Sequence, residues 1–418
     1  MSDALRLRPE SALPQPRTAG RVVDLPGQSV AQSRPESGGV LLMGGDCSAL
    51  GVARNLVSRG IPVRFLPGTN ALATYSRHVH SIAGWPGAEA DTAIAFLEGL
   101  AKSGQCMDWV LIPAGDSEVR LVTNHYDALS HYYRLSTPPW SVTRYCGDKQ
   151  LTYARAADLG IGHPRTYRID IESEAAAADL DYPVILKPAM KEGVNALTVA
   201  KAWRADDRTQ FLSLFREAHT LAGAGGLVVQ EMIPDDGTNQ FSYCAFCDNG
   251  EPRLVMAARR TRQRPRKAGT GTFVETLPPQ DFEAEAAIFL RSLNYTGLVE
   301  IEFMRDPRDG RFKLIDVNPR IWTWHALGLP AGVNFAHAAW LHAAGQPVTP
   351  ARAAAGHSWI YGIRDLPVAL AEIIDGHLSP MTYLRQLLGA SSYATLSLSD
   401  PLPALVDLPM SILRVLRR

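Results

Sequence analysis

The sequence predicts a fold that is part α/β and part α+β, built on more than one sheet. A β-α-β pattern opens the first folded segment, two apolar strands flank a loop near residue 190, and a β-hairpin pattern covers residues 297–318. The first pattern is typical of a parallel sheet, whereas a hairpin requires antiparallel neighbours. A chain of 418 residues is long enough for two or three domains with substantial cores.

The composition is that of an ordinary globular protein. Hydrophobic residues make up 46% of the chain, and 42 Lys and Arg residues balance 42 Asp and Glu residues, so the net charge gives no reason to expect a nucleic-acid partner. Five scattered cysteines indicate reduced thiols and a cytoplasmic location. Cys244 and Cys247 form a C-x-x-C inside an alternating apolar run without a second ligand pair nearby, so we do not expect zinc or redox use.

The first 37 residues are rich in Pro, Arg, Gln and Ser without a sustained period, which predicts a disordered leader and no secretory signal. No apolar stretch approaches the roughly 18 to 20 residues of a transmembrane helix. The next segment, GGVLLMGGDCSALGVARNLVSRGIPVRFL, reads as strand, helix and strand. It lacks G-x-G-x-x-G and has no acid after its second strand, which argues against a dinucleotide site. Asp46, Ser48 and Asp116 follow predicted strand ends, where they are either ligand contacts or turn and cap residues.

Two lysines occupy positions that favour an anion nearby. Asp148 is expected to cap a helix that ends near Gly160, and Lys149 falls in the first turn of that helix, where a cation opposes the helix dipole. Lys187 ends the apolar strand YPVILK, so its charge should point into a polar cleft.

The densest positive charge is the run RRTRQRPRKAGTGTFVE at 259–275. A solvated or nucleic-acid-binding loop is one interpretation, but the run lacks interleaved aromatic residues for base stacking. A loop that supplies charge to a phosphate or a substrate carboxylate explains it better. Lys267 and Arg262 are the candidates for that role.

The hairpin GLVEIEFMRDPRDGRFKLIDVNPR brings oxygen ligands together. Side chains repeat every two residues in a strand, so Glu300 and Glu302 share one face of the first strand, while Asp316 and Asn318 share one face of the second. Oxygen ligands without cysteine suit Mg²⁺. Arg320 should project beside the metal, where it could stabilise a transferring phosphoryl group. The alternative is an amphipathic hairpin whose acids face solvent.

The ordered set EIEF and LIDVNPRIW resembles the metal-binding hairpin of the ATP-grasp superfamily, and within it the carboxylate-amine ligases similar to D-aspartate ligase and carbamoyl-phosphate synthase. The resemblance implies ATP and Mg²⁺, with Mn²⁺ as an alternative, and assigns Glu302, Asp316 and Asn318 as metal ligands with Arg320 as the catalytic arginine. It implies phosphate contacts from Lys149 and Lys187. A further implication is an adenine-binding hinge, formed by Glu231, Met232 and Ile233.

The same resemblance divides the chain into segments. It implies a preATP-grasp Rossmann-like domain at 38–135, a lid at 136–230, a catalytic subdomain at 231–345 that carries the hairpin, and an extension at 346–418. The last residues, LPALVDLPMSILRVLRR, are either a membrane-surface helix or a helix packed on its own domain or on a partner. A homodimer is a further possibility.

The resemblance implies an ATP-dependent ligase that joins a small-molecule carboxylate to an amine through an acyl phosphate. Two alternatives stay open. One is an ATP-binding protein without ligase chemistry, used as a sensor or scaffold. The other is an ATP-grasp enzyme that activates bicarbonate or a sugar-linked acid.

Overall fold

Three β-sheets organise the chain in the computed structural model, which describes residues 38–68, 71–190, 193, 195–223, 225–266 and 269–416, with side chains up to residue 412. The predicted leader at 1–37 lies outside the described residues.

The first sheet is parallel and carries four helices. Its strands and helices are β1 (Val40–Met43), α1 (Cys47–Val57), β2 (Val63–Leu66), β3 (His80–Ser81), α2 (Ala93–Lys102), β4 (Val110–Pro113), α3 (Asp116–Asn124), α4 (Tyr126–Ser130) and β5 (Arg134–Leu135). The strand order is β3-β2-β1-β4-β5. Because β1 and β2 pair in parallel on either side of α1, the predicted β-α-β unit is confirmed.

The second sheet is small and antiparallel. It follows two helices, and the elements in order are α5 (Trp140–Gly147), α6 (Lys149–Asp158), β6 (Thr166–Tyr167), α7 (Glu172–Ala177), β7 (Val184–Pro188), α8 (Ala196–Ala200), β8 (Trp203–Ala205), α9 (Arg208–Ala222) and β9 (Leu227–Glu231). The strand order is β6-β9-β7-β8. Asp148 caps α6 as expected, since its side chain accepts hydrogen bonds from the backbone of Gln150 and Leu151.

The third sheet has eight strands and takes in the C-terminal residues. Its elements are β10 (Gln240–Asp248), β11 (Glu251–Arg264), β12 (Thr270–Leu277), α10 (Phe282–Ser292), β13 (Gly297–Arg305), β14 (Phe312–Asn318), α11 (Phe335–Ala343), β15 (Ala351–Arg352), β16 (Ser358–Ile360), α12 (Gly362–Ile374), α13 (Pro380–Gly389), β17 (Ser392–Tyr393) and α14 (Leu402–Leu416). The strand order is β14-β13-β10-β11-β12-β16-β17, and β15 pairs with β11. The segment after residue 346 thus supplies three strands to this sheet.

The predicted hairpin is confirmed as β13 and β14. The register pairs Glu300 with Asn318 and Glu302 with Asp316, so all four side chains lie on one face. A register shift follows Glu302. The geometry that period two predicted for the acidic residues is therefore present.

The two faces of the third sheet pack against different partners. Cys244, Met256 and Val274 lie in one buried cluster with Trp322 and with residues of the first sheet. The opposite face, including Cys247, packs with α6 and α10. Cys244 and Cys247 therefore lie on opposite faces of β10, both buried and neither in a disulfide.

Candidate active site

A cleft of about 270 Å³ lies between the second sheet and the acid-bearing face of the third. Nine of the eleven residues that the sequence nominates line it, together with two charged residues of the third sheet. The predicted residues are Lys149, Lys187, Glu231, Met232, Ile233, Glu302, Asp316, Asn318 and Arg320, and the two others are Arg260 and Glu300.

The two glutamates and Asn318 form one hydrogen-bonded group. Glu300 is buried and accepts hydrogen bonds from Ser242 Oγ at 2.9 Å and Asn318 Nδ2 at 3.3 Å. Asn318 Nδ2 also donates to Glu302 Oε1 at 3.0 Å. Because the amide nitrogen of Asn318 serves the glutamates, its side-chain oxygen is the atom that remains to face a cation.

Arg260 is a site residue that the sequence reasoning missed. Its Nη2 lies 2.6 Å from Glu302 Oε1 and 3.0 Å from Glu300 Oε1, and its side chain is buried. Burial alone would lower the pKa of Arg260, but the two carboxylates raise it well above its usual range. Burial raises the pKa of Glu300, an effect that the Arg260 guanidinium opposes. This cation therefore holds two negative charges in a dry environment.

Lys149 makes the corresponding contact with the fourth member of the group. Its Nζ lies 2.5 Å from Asp316 Oδ1, and its side chain is buried at the start of α6. Burial would lower the pKa of Lys149, but the carboxylate of Asp316 raises it, and the lysine is charged at neutral pH. The anion expected near this lysine is thus the side chain of a predicted metal ligand.

Lys187 enters the same cleft from the second sheet. In β7, Val184 and Leu186 are buried in the core of that sheet, whereas Ile185 and Lys187 alternate with them and line the cleft. The expectation that Lys187 leaves its apolar strand for a polar cleft is therefore confirmed.

Arg320 reaches across to the first sheet. It donates from Nε to Asp116 at the start of α3 and from Nη1 to the carbonyl oxygen of Ile321 at 3.2 Å. Burial would lower the pKa of Arg320, and the carboxylate of Asp116 raises it. Asp116 is thus an ion-pair partner of the predicted catalytic arginine, and Gly115 occupies the N-cap position of α3.

The side chain of Glu231 in the hinge accepts hydrogen bonds from two side chains and one backbone N–H group. Glu231 accepts from Arg308 Nη2 at 2.8 Å, from Lys313 Nζ at 3.1 Å and from the backbone N–H of Arg165 at 2.9 Å. Partial burial opposes its ionisation, but these donors lower its pKa.

Two backbone N–H groups of this hinge already donate hydrogen bonds within the protein. The N–H groups of Glu231 and Met232 donate to the carbonyl oxygens of Arg165 and Pro183. An adenine edge would therefore have to use other backbone groups of the hinge.

The structure does not bring Arg262 to the cleft. Its guanidinium is buried against Asp365 of α12, with Nε 3.0 Å from Oδ1 and Nη2 2.8 Å from Oδ2, and it stacks on Phe273. The cause is a bulge in β11: Arg260 pairs with Val274 and Arg262 with Phe273, so two steps on one strand match one step on the other.

The bulge places Arg260 and Arg262 on opposite faces of the sheet. Both side chains are buried in ion pairs, so this part of the basic run is not a solvated loop. The other candidate of the run, Lys267, lies outside the described residues.

Asp46 likewise has a tertiary partner. It occupies the N-cap position of α1 without a side-chain capping bond, and its Oδ2 accepts from Arg364 Nη2 at 2.5 Å. Arg364 belongs to α12, so the C-terminal segment also binds the first sheet.

The donor set of the cleft fits Mg²⁺ in chemistry. Glu302, Asp316 and Asn318 offer hard oxygen atoms on adjacent strands. Among the residues that the structure describes, no three His, Cys, Asp or Glu side chains stand in a ready metal-binding arrangement. Arg260 binds both glutamates and Lys149 binds Asp316, so each of these carboxylates contacts a side-chain cation.

Comparison with known proteins identifies the fold around this cleft. Residues 148–349 match the ATP binding domain of the carbamoyl-phosphate synthase L chain. D-aspartate ligase of Enterococcus faecium is 26% identical over 302 residues, which are 67% of this chain and 70% of that protein. The matched segment is an ATP-grasp domain, and the chain as a whole is similar to ATP-dependent ligases that contain one.

Two solved structures show the same fold at low identity. The L-amino acid ligase from Bacillus licheniformis aligns with a TM-score of 0.56 and 17% identity, covering 73% of this chain and 74% of that one. The biotin carboxylase domain of the Hydrogenobacter thermophilus 2-oxoglutarate carboxylase, a dimer in complex with MgADP and bicarbonate, aligns with a TM-score of 0.59 and 16% identity over 76% and 73% of the two chains. The predictions of an ATP-grasp fold and of ATP-dependent ligation are therefore confirmed, and ATP and Mg²⁺ are ligands of this family.

In the described part of the chain, no helix has the length and hydropathy needed to cross a bilayer.

Proposed function

We propose that this ligase uses ATP to activate the carboxylate of an amino acid and joins it to an amine. The observation that carries the proposal is the convergence of Glu302, Asp316 and Asn318 with Arg320 in one cleft. Aspartate is the first candidate substrate, because the relative that aligns over most of the chain is a D-aspartate ligase.

Two lysines and the hinge would position the nucleotide. Lys187 on β7 and Lys149 on α6 enter the cleft from different elements, so their charges can contact a polyphosphate from two sides. Ile233 and the remaining backbone groups of the hinge at Glu231 and Met232 would bind the base.

Glu302, Asp316 and Asn318 would hold Mg²⁺, or Mn²⁺ in its place, and the ion would neutralise charge on the phosphates when bound. Lys149 would turn from Asp316 toward the triphosphate, and Arg260 would keep Glu300 ionised and in place. In this scheme Glu300 would not bind the metal ion but would support the ligands beside it. Of the two glutamates, Glu302 has the more exposed side chain.

The bond changes are those of a two-step ligation. A carboxylate oxygen of the substrate attacks the γ-phosphorus, the bond from that phosphorus to the bridging oxygen of ADP breaks, and an acyl phosphate forms. The amine nitrogen then attacks the acyl carbon, the carbon–oxygen bond to phosphate breaks, and the amine gives up a proton to water. Arg320 would stabilise the phosphoryl group during its transfer, after exchanging its contact with Asp116 for one with the substrate.

The test measures phosphate release from Mg-ATP. Each reaction contains one carboxylate from a panel of D-aspartate, L-aspartate, neutral amino acids and bicarbonate, with and without an amine acceptor. We expect release that depends on an amino acid, and a fall of about 10²-fold or more in Arg320→Ala, since losing one charge-stabilising donor has an effect of that order. Arg259→Ala is the matched control, because Arg259 is half-buried on β11 outside the cleft lining and lies 3.8 Å from Glu275.

Each contrary outcome points elsewhere. Release that requires bicarbonate alone would assign the enzyme to bicarbonate activation, the chemistry named for its carboxylase structural neighbour. A non-catalytic ATP-binding protein would be favoured if the chain binds ATP but no carboxylate of the panel triggers a phosphate release that Arg320→Ala abolishes. A cytoplasmic location and a homodimer stay predictions in this scheme.

A further inference from the structure

A second, smaller cavity adjoins the main cleft at the hairpin. Its volume is about 70 Å³, and its lining comes from α3, α5, the start of α6 and the end of β14. Three of the lining residues, Lys149, Asp316 and Asn318, also line the main cleft. We call this smaller cavity the α3 pocket. A molecule bound in it would therefore lie beside the residues that would hold Mg²⁺ and the phosphates.

The charged side chains of the α3 pocket are balanced in sign. Asp116 and Arg120 are four residues apart on α3, so they lie on the same face of that helix. The main cleft shares its own pair of opposite charges, Lys149 and Asp316, with the pocket. A ligand that carries both a positive and a negative group would find a partner for each of them here.

The rest of the lining of the α3 pocket is mostly apolar, and the space is small. One water molecule needs at least about 10–15 Å³ of such volume, so the pocket has room for about five to seven groups of that size. That room suits a small amino acid but not a peptide or a nucleoside. The apolar lining residues are Val119, Trp140, Cys146, Met190, Val317 and Pro319.

The ion pairs that α3 makes can be exchanged for contacts with a ligand. Arg120 Nη2 lies 3.5 Å from Glu89 Oε1, and the Glu89 side chain is 66% exposed, so this pair contributes little stability. Asp116 pairs with Arg320, which the proposed transfer step moves to the phosphoryl group. That movement would let the Asp116 carboxylate bind an ammonium group of the substrate.

We propose that the α3 pocket binds the amino-acid substrate and selects an acidic amino acid. Asp116 binds the ammonium group, and Arg120 binds one of the two carboxylates through parallel hydrogen bonds from its planar guanidinium. The other carboxylate then lies at the residues shared with the main cleft, where it attacks the γ-phosphorus. Arg120 is thereby a specificity-determining residue, since it binds the group that a neutral amino acid lacks. The inference rests on the proposed function and adds the choice of substrate to it.

The test measures phosphate release by the full chain with saturating Mg-ATP, hydroxylamine as the amine, and aspartate, alanine or β-alanine as the carboxylate. Alanine and β-alanine each lack one carboxylate of aspartate. We expect kcat/KM of the wild type for aspartate to exceed that for either analogue at least about tenfold, because the analogue loses a charged hydrogen bond.

Arg120→Gln should raise the KM for aspartate at least about tenfold and leave kcat nearly unchanged, since Arg120 holds a carboxylate that does not react. The KM for alanine or β-alanine should change much less. Arg120→Lys should give a KM for aspartate between those of Arg120→Gln and the wild type, because lysine keeps the charge but not the planar pair of donors.

The matched control is Arg291→Gln. Arg291 pairs with the exposed Glu251 and lines neither cavity, so the KM for aspartate should not change in this variant. Thermal melting shows whether each variant is folded.

Three results would overturn the inference while the proposed function stands. They are aspartate-dependent release with an unchanged KM in Arg120→Gln, an equal rise in KM for aspartate and for a monocarboxylic analogue, and a wild type that prefers a neutral amino acid. No phosphate release with any amino acid would overturn the proposed function and this inference with it.

Discussion

Arg260→Met tests whether one buried guanidinium holds the acidic cluster of the cleft together. The substitution keeps a long side chain but removes the charge that contacts Glu300 and Glu302. Removing one partner of a buried ion pair typically costs about 3–5 kcal/mol. We expect the lower end, about 3 kcal/mol, because Ser242 and Asn318 still donate to the glutamates and Glu302 is partly exposed. In a folded unit of this size that loss corresponds to about 4 °C in Tm.

The deficit should depend on pH in a defined direction. Burial raises the pKa of Glu300 above 4.5, and without Arg260 the pKa would rise further. A carboxyl group whose pKa is raised in the folded state loses stability as pH increases through that pKa. The deficit of Arg260→Met should therefore be full near neutral pH and shrink as pH falls through the raised pKa of Glu300, because the carboxyl is then protonated in both folded proteins and no longer needs the guanidinium.

The assay is thermal unfolding in EDTA, repeated with Mg²⁺ and a non-hydrolysable ATP analogue. The freed carboxylates should let the ligands recover more stability in Arg260→Met than in the wild type, since a ligand at 100 times its Kd contributes about 2.7 kcal/mol. Arg259→Met is the control, and its partly exposed 3.8 Å pair with Glu275 should be worth less than about 1 kcal/mol. Equal shifts in the two variants, or a deficit that does not change with pH, would refute the structural role given to Arg260.

Three further predictions concern buried charges and the metal ligands. Burial lowers the pKa of His325 to about 4, so the free energy of unfolding should fall by about 2 kcal/mol between pH 8 and pH 5. Over that range Tm should depend less on pH in His325→Phe than in the wild type. The same dependence in both proteins would contradict this origin. Asp365→Asn should lower Tm by several degrees, because it removes the carboxylate that pairs with the buried Arg262. Asp375→Asn, which breaks the exposed 3.9 Å pair with Arg266, should have almost no effect. Similar Tm shifts in the two variants would count against the importance of the buried pair. Glu302→Gln should raise the Mg²⁺ concentration needed for half-maximal phosphate release by about tenfold or more, an effect that a titration at saturating ATP measures and that an unchanged midpoint would exclude.

The local patterns of the sequence were sufficient for the hairpin and for Lys187. Side-chain alternation in a strand is a property of the backbone, so period two alone places Glu302 beside Glu300 and turns Lys187 away from its apolar neighbours. The cap at Asp148 is equally local, because the donors it satisfies are its own neighbours in the chain.

Only the tertiary structure decided between the arginines of the basic run. Unbroken alternation would place Arg260 and Arg262 on the same face, and the bulge in β11 separates them. The sequence carries no local sign of that bulge, since the extra residue depends on how β11 pairs with β12. The Arg259-Arg260 pair in the sequence indicated that an arginine could enter the cleft. The sequence pattern alone could not show which of the two does so.

The sequence by itself therefore determined the β-α-β unit, the hairpin and its acidic face, and it predicts a magnesium and phosphate site there. The structure alone decided which cations stand against those acids, which hinge donors are already used, and that residues beyond 346 complete the third sheet. The physical reason is that periodicity is set by bonds between neighbours, whereas register, bulges and ion pairs depend on segments that are distant in the chain and meet only on folding.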